Sequence, residues 1–231
     1  MIPSKIYEPE NKNFEHTIII YHGWGSVVDS QHELASILAR EGFRVIVPEL
    51  MYHDNRDPIP HPFHTPIMQE YFWRTIFYSI EEFNLLLNEL NTQEQQLILL
   101  GSSMGGFIAN GIITENPNIA GLININGSGS YLTSETIFRE NSGREPLTIT
   151  EQENFAQYDP GQKEINYNTR ILLLHGELDS IVSIEGQKEY YSYITQQGYE
   201  NVQLITYPEI NHTISPEMIS DIVDWLKKYI V

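Results

Sequence analysis

Leu97-Ile98-Leu99-Leu100-Gly101-Ser102-Ser103-Met104-Gly105-Gly106 is an apolar run entering G-x-S-x-G, the pattern that places a serine on a sharp turn between a strand and a helix. The turn forces its central residue into a strained backbone, and side chains at Gly101 and Gly105 would collide with the neighbouring strand and helix. Ser103 is therefore the candidate nucleophile of a nucleophile elbow, and Ser102 is the intervening residue. Taken alone, five residues also fit a glycine-rich turn that ends a buried strand. The rest of the chain decides between the two.

Outward from the turn, short apolar runs alternate with longer amphipathic ones, which is the pattern of a parallel sheet with helices on both faces. Strands are expected at Thr17 to Tyr21, Phe43 to Val47, Gln96 to Leu100, Ile119 to Ile125, Arg170 to Leu174 and Val202 to Tyr207. Their nearly continuous apolar character suits strands buried on both faces. The segment before Thr17 is polar and short, so any leading antiparallel strand must be abbreviated. Ser30 to Arg40 reads as a helix ended by Gly42. In Ile67 to Leu90 the residues Phe72, Ile76, Ile80, Phe83, Leu87 and Leu90 recur at helical spacing, which predicts one long helix packed on the core. The last helix is marked by a Ser215 cap, Pro216 in the first turn, and Lys227 and Lys228 at the negative end of the dipole.

Two segments break the alternation. Glu49 to Pro66 is a loop rich in proline and carries His53, His61 and His64. Ser128 to Asn168 is too long and polar for an ordinary connection, so it reads as a small cap or lid inserted within a single domain that spans 1–231. No repeat or interdomain linker is visible.

A serine hydroxyl needs a base, an orienting acid behind that base, and donors for an oxyanion. Downstream of Ser103, the strand Ile171-Leu172-Leu173-Leu174 runs into His175-Gly176-Glu177-Leu178-Asp179-Ser180-Ile181-Val182. Asp179 is the candidate acid, and Glu177 in the same loop is the alternative. Further on, Pro208-Glu209-Ile210-Asn211-His212 lies between the last strand and the capped helix, which makes His212 the candidate base. Upstream, Ile18-Ile19-Ile20-Tyr21 enters His22-Gly23-Trp24-Gly25-Ser26, an H-G-x-G turn whose backbone can approach a substrate carbonyl. The expected oxyanion hole is the Trp24 N–H with the Met104 N–H, and His22 is expected to brace the turn. The Trp24 indole either lines an acyl pocket or packs in the core.

Composition removes other classes. With 13 basic and 31 acidic residues the formal charge is −18, which argues against nucleic acid or an anionic membrane as a partner. The chain has no cysteine, so thiolate nucleophiles, thiolate metal sites and disulfides are out. It shows neither a secretory leader nor a membrane-length apolar run, so a cytoplasmic location is expected. Oligomeric state is left open. His53, Asp54, His61 and His64 are ligand types that suit zinc, but their irregular spacing in a proline-rich loop favours a structured rim of the site. Neither a third fingerprint glycine after Gly23 and Gly25 nor a P-loop lysine pattern is present, so a nucleotide-binding reading is set aside.

His22 to Ser26, Gly101 to Gly106, Leu172 to Val182 and Asn211-His212 together resemble a small bacterial esterase of the α/β-hydrolase superfamily. The resemblance lies near the branch of dienelactone hydrolases and prolyl-oligopeptidase-like enzymes and covers Thr17 to Val231. It implies the α/β-hydrolase fold, a mainly parallel sheet with helices on both faces, a triad of Ser103, Asp179 and His212, and no cofactor or metal. Dienelactone hydrolases use cysteine where this chain has Ser103, which puts that substrate in doubt. A small-molecule ester cleaved through an acyl-enzyme on Ser103 is the expected substrate. The alternatives are a peptidase or amidase acting on short substrates, and a binding protein that keeps the fold without the chemistry.

Overall fold

Alternate residues of a strand leave the sheet on opposite faces, and that parity divides the core of this protein in two. The computed structural model describes residues 1–10, 15–90, 92–164 and 168–230. On one face lie Ile19 and Tyr21 of β2 (Thr17–Tyr21), Leu97 and Leu99 of β4 (Leu97–Ser102), Leu122 of β5 (Gly121–Ile125), and Ile171 and Leu173 of β6 (Arg170–Gly176). The intervening residues Ile18, Ile20, Ile98, Leu100, Ile123, Leu172 and Leu174 form the other face. Each such side chain, fully buried, is worth about 1.5–3 kcal/mol.

Helices cover both faces. The first is packed by α2 (Thr65–Glu81), α3 (Phe83–Leu90), α4 (Met104–Glu115) and α7 (Ile184–Gln196), and the second by α1 (His32–Arg40) and α8 (Pro216–Tyr229). The sheet order is β1-β3-β2-β4-β5-β6-β7, where β1 is Ser4–Tyr7, β3 is Arg44–Pro48 and β7 is Val202–Tyr207. Among the described residues only β1 is antiparallel, paired with β3 from Ser4↔Pro48 to Tyr7↔Val45. This is the abbreviated leading strand expected from the short polar start. The fold is the α/β-hydrolase arrangement read from the sequence.

The direction in which successive strands are added reverses at β2, whose successor β3 lies on one side and β4 on the other. Crevices at such switch points, beyond the carboxyl ends of the strands, are where ligands bind in open α/β sheets. The turn after β2 carries Trp24 and the turn after β4 carries Ser103.

Two expectations change. The single helix expected over residues 67–90 is interrupted at Glu82, between α2 and α3. The Glu82 carboxylate turns toward Arg56, which grips it with two bonds of 2.8 and 2.6 Å; the apolar spacing continues through the break, so it gave no sign of it. α1 starts at His32, after a 3-10 turn at Val28–Gln31, rather than at Ser30. At the far end Ser215 caps α8 by accepting the Met218 N–H at 3.2 Å, with Lys227 and Lys228 in the last turn as expected.

The expected insertion 128–168 folds as α5 (Tyr131–Ser142), α6 (Ile149–Ala156) and a short 3-10 turn at Pro160–Gln162. Its residues 165–167, and Val231, lie outside the described residues. Among the described residues no helix is long and apolar enough to cross a membrane.

Candidate active site

Ser103 sits between β4 and α4 with φ +53° and ψ −122°, a conformation that persists only where its surroundings over-determine it. They do so through the two flanking glycines. A Cβ on Gly101 would stand 1.9 Å from the Gly105 carbonyl oxygen, and one on Gly105 would stand 1.9 Å from that of Tyr21. The helix start is thus pressed onto the ends of β4 and β2, and the Ser103 N–H is held by the Ile125 carbonyl at 2.9 Å.

His212 and Asp179 meet the serine. Partner chemistry fixes the protons: the Ser103 hydroxyl donates to His212 Nε2 at 2.9 Å, and His212 Nδ1–H donates to Asp179 Oδ2 at 2.7 Å. The imidazole is about a quarter exposed, whereas the Asp179 carboxylate is fully buried. Burial alone would raise the pKa of Asp179, but it is outweighed by His175, His212 and the Val182 N–H. The carboxyl is held far below the usual carboxylate range and stays ionised. Its other oxygen accepts the Ile181 and Val182 N–H groups, each at 2.9 Å. Glu177, the alternative acid, turns away and accepts the Thr206 hydroxyl at 2.6 Å.

The H-G-x-G turn lies against the nucleophile, since a Cβ on Gly23 would stand 3.3 Å from the Ser103 Cβ. That contact brings the next peptide, with the Trp24 N–H, beside Ser103. Met104 is the first residue of α4, where N–H groups lack intrahelical acceptors. Among the described residues neither the Trp24 nor the Met104 N–H has a hydrogen-bond partner. Both are available to an oxyanion. His22 is fully buried, and its Nδ1–H donates to the Gly23 carbonyl at 2.9 Å, which is the bracing expected of it.

The Trp24 indole is half-buried, donates to the Pro62 carbonyl at 3.0 Å, and meets Phe72 edge-on at 6.1 Å between ring centres. Phe72 in turn meets Phe138 of α5 at 5.8 Å. An aromatic series therefore joins the H-G-x-G turn to α5.

Three contributors were not legible as such. Asn126, with φ +51°, accepts the Gly176 N–H at 3.0 Å and donates to the Thr213 carbonyl at 2.8 Å, tying the end of β6 to the loop of His212. Asn211 Oδ1 accepts the Ser180 N–H at 3.0 Å and the His212 N–H at 2.7 Å, which joins the acid loop to the base. His175, buried beneath Asp179, donates Nε2–H to the Val182 carbonyl at 3.0 Å. Asn126 shows in sequence only as a short polar residue directly after a strand, and Asn211 only as the neighbour of His212. Among the described residues no group of three or more His, Asp or Glu side chains is placed to hold a metal ion.

The sequence model of the prolyl oligopeptidase family matches residues 31–231. Esterase YjfP of Escherichia coli is 25% identical over 228 residues, covering 92% of this chain and 88% of the relative. The structure of TT1662 from Thermus thermophilus aligns with a TM-score of 0.77 at 16% identity, covering 99% of this chain and 93% of that one. Acylaminoacyl peptidase of Pyrococcus horikoshii aligns with a TM-score of 0.72 at 15% identity over 98% of this chain, which spans 39% of that protein.

Proposed function

Because the chain belongs to the prolyl oligopeptidase family, hydrolases of esterase and peptidase type, we propose that it cleaves carboxylic esters of small soluble substrates through an acyl-enzyme on Ser103. The observation that carries this is the relay from Ser103 Oγ to His212 Nε2 at 2.9 Å and from His212 Nδ1 to Asp179 at 2.7 Å. In this reading His212 takes the Ser103 proton as Oγ attacks the ester carbonyl, and the Trp24 and Met104 N–H groups hold the developing oxyanion. The tetrahedral adduct collapses, the alcohol leaves with the proton from His212, and water repeats the steps on the acyl-enzyme. Asp179 keeps the imidazole in the Nδ1–H tautomer and offsets its charge when it is doubly protonated.

Small soluble esters are favoured by a short insertion, whose two helices have 12 and 8 residues, and by a formal charge of −18 that disfavours anionic membrane surfaces. Family membership and the likeness to an acylaminoacyl peptidase support a second reading, a peptidase acting on short substrates. A panel of aryl esters of increasing acyl length, run beside an aminoacyl anilide and a thioester, separates the two. Ser103→Ala is expected to lower kcat by about 10³-fold or more with the fold intact, and to abolish labelling by an organophosphonate. Retention of most activity by that variant would overturn the proposal.

A further inference from the structure

The histidine-bearing loop between β3 and α2 takes no part in the relay from Ser103 to Asp179, yet it grips the oxyanion turn at several points. His53 is 95% buried, with both ring nitrogens engaged: Nδ1–H donates to the Met51 carbonyl at 3.0 Å, and Nε2 accepts the Gly25 N–H at 3.0 Å. Asp54 Oδ1 accepts the Val28 N–H at 3.0 Å, the Pro62 carbonyl accepts the Trp24 indole, and the Phe63 ring lies on Gly25. Gly25 itself has φ +67°, inside a turn closed by the Ser26 N–H on the Gly23 carbonyl at 3.2 Å.

We infer that His53 is a positioning residue for the oxyanion hole, its neutral Nε2 lone pair holding the Gly25 N–H so that the Trp24 N–H stays aimed at the substrate carbonyl. The inference rests on the hydrolase reading above. Gly23 packs on Ser103 on one side of the turn and His53 takes Gly25 on the other, so the donor residue Trp24 is fixed from both ends. The loop that supplies the lone pair is itself rigid. Tyr52, Asp54 and Asp57 hold φ values of +68°, +50° and +50°, and the Tyr52 N–H reaches the Arg56 carbonyl at 2.7 Å while the Arg56 guanidinium is locked on Glu82. Strain of this kind persists where the surroundings enforce it. A donor displaced by about 1 Å forfeits about a hundredfold in rate.

Two measurements test the inference. Nitrogen-15 NMR of the imidazoles in the wild-type protein at neutral pH, read whatever the activity, should show His53 Nε2 unprotonated. A proton on Nε2 overturns the inference. In steady-state kinetics His53→Leu should lower kcat by about 10- to 100-fold with KM within about twofold. His53→Gln, whose Oε1 can take the Nε2 position, should recover kcat to within about threefold of wild type. Should His53→Leu fail to fold, His53→Asn decides, since its amide is too short to reach Gly25 and should show the same kcat loss. Wild-type kcat in the folded Leu or Asn variant, or a Gln variant as impaired as these, overturns the inference. Absence of Ser103-dependent turnover in the wild type would instead strike the hydrolase reading and leave the NMR result to decide the His53 bond.

Discussion

The turn at Ser103 and the insertion between β5 and β6 are held by opposite means. At the turn, backbone presses on backbone: the Gly101 and Gly105 positions leave no room for a Cβ, which at either would stand 1.9 Å from a carbonyl oxygen. In the insertion the hold comes from side chains, with Tyr131 and Phe155 buried in the core and polar groups pairing around them. Asp159 caps α5 through the Tyr131 and Leu132 N–H groups at 3.0 and 2.9 Å, and Glu135 gathers Trp73, Arg139 and Arg144. Backbone packing admits few solutions, and most of them need glycine. Side-chain pairing admits many. The reaction geometry is accordingly fixed where substitution is least tolerated, and the neighbouring surface is built where it can vary.

The largest expected effect lies at the fixed end. In Asp179→Asn one amide oxygen can still accept the Ile181 and Val182 N–H groups, so the loop should keep its shape. The amide nitrogen then faces His212 Nδ1 and favours the tautomer with its proton on Nε2, which cannot take the Ser103 proton. A fall in kcat of about 10⁴-fold is expected, with circular dichroism unchanged. The same carboxylate contributes to stability with a definite sign. Its folded pKa lies below the unfolded value of about 3.9, so ionised Asp179 stabilises the fold above roughly pH 4, and this is lost as pH falls toward the folded value. The difference in Tm between wild type and Asp179→Asn should therefore shrink below pH 4. A difference that widened there would contradict the assignment.

Gly105→Ala probes the backbone contact directly. Its Cβ would overlap the Tyr21 carbonyl, and relief requires α4 to move off β2, carrying Ser103 away from His212. Destabilisation of at least about 3 kcal/mol is expected, a Tm loss of order 10 °C for a chain of this size, together with loss of turnover. If the variant melted and worked like wild type, the contrast drawn above would fail at its stronger pole.

Legibility follows the same division. The strand-to-turn junctions at Ser103, Asp179 and His212 were readable because apolar runs end where chemistry begins, and glycine marks the places a side chain cannot enter. β2, buried throughout, and β7, a half-buried edge strand, matched residue for residue. The break at Glu82 was hidden, because it depends on an arginine 26 positions upstream. The purpose of His53 was hidden for a related reason: its partner is a backbone N–H at Gly25, and a histidine that accepts such a bond looks in sequence like a histidine that binds zinc. The start of α6 carries a T-x-x-E capping box at Thr148 and Glu151 that the sequence displays, whereas the start of α5 was unreadable, since it rests on the reach of Asp159 across 28 residues.

The smallest effect is expected at Glu135, and it tests the weaker pole. This carboxylate is 96% buried; Oε1 accepts from Arg139 at 2.8 Å and Arg144 at 2.9 Å, while Oε2 accepts from the Trp73 indole at 2.8 Å. Every neighbour is a donor, so Glu135→Gln must turn its amide NH₂ toward one of them in either orientation. One buried donor loses its acceptor, at a cost of about 1–3 kcal/mol. For this chain that is a Tm lower by roughly 2–10 °C. Because α5 reaches Trp24 through intervening rings, Phe72 standing between Trp24 and both Phe138 and the Trp73 that Glu135 holds, kcat should stay within about threefold while KM for bulky acyl groups rises. A kcat loss as large as that of Asp179→Asn would mean that the insertion holds the reacting groups as tightly as the glycines do, and the two regions would no longer be distinct in kind.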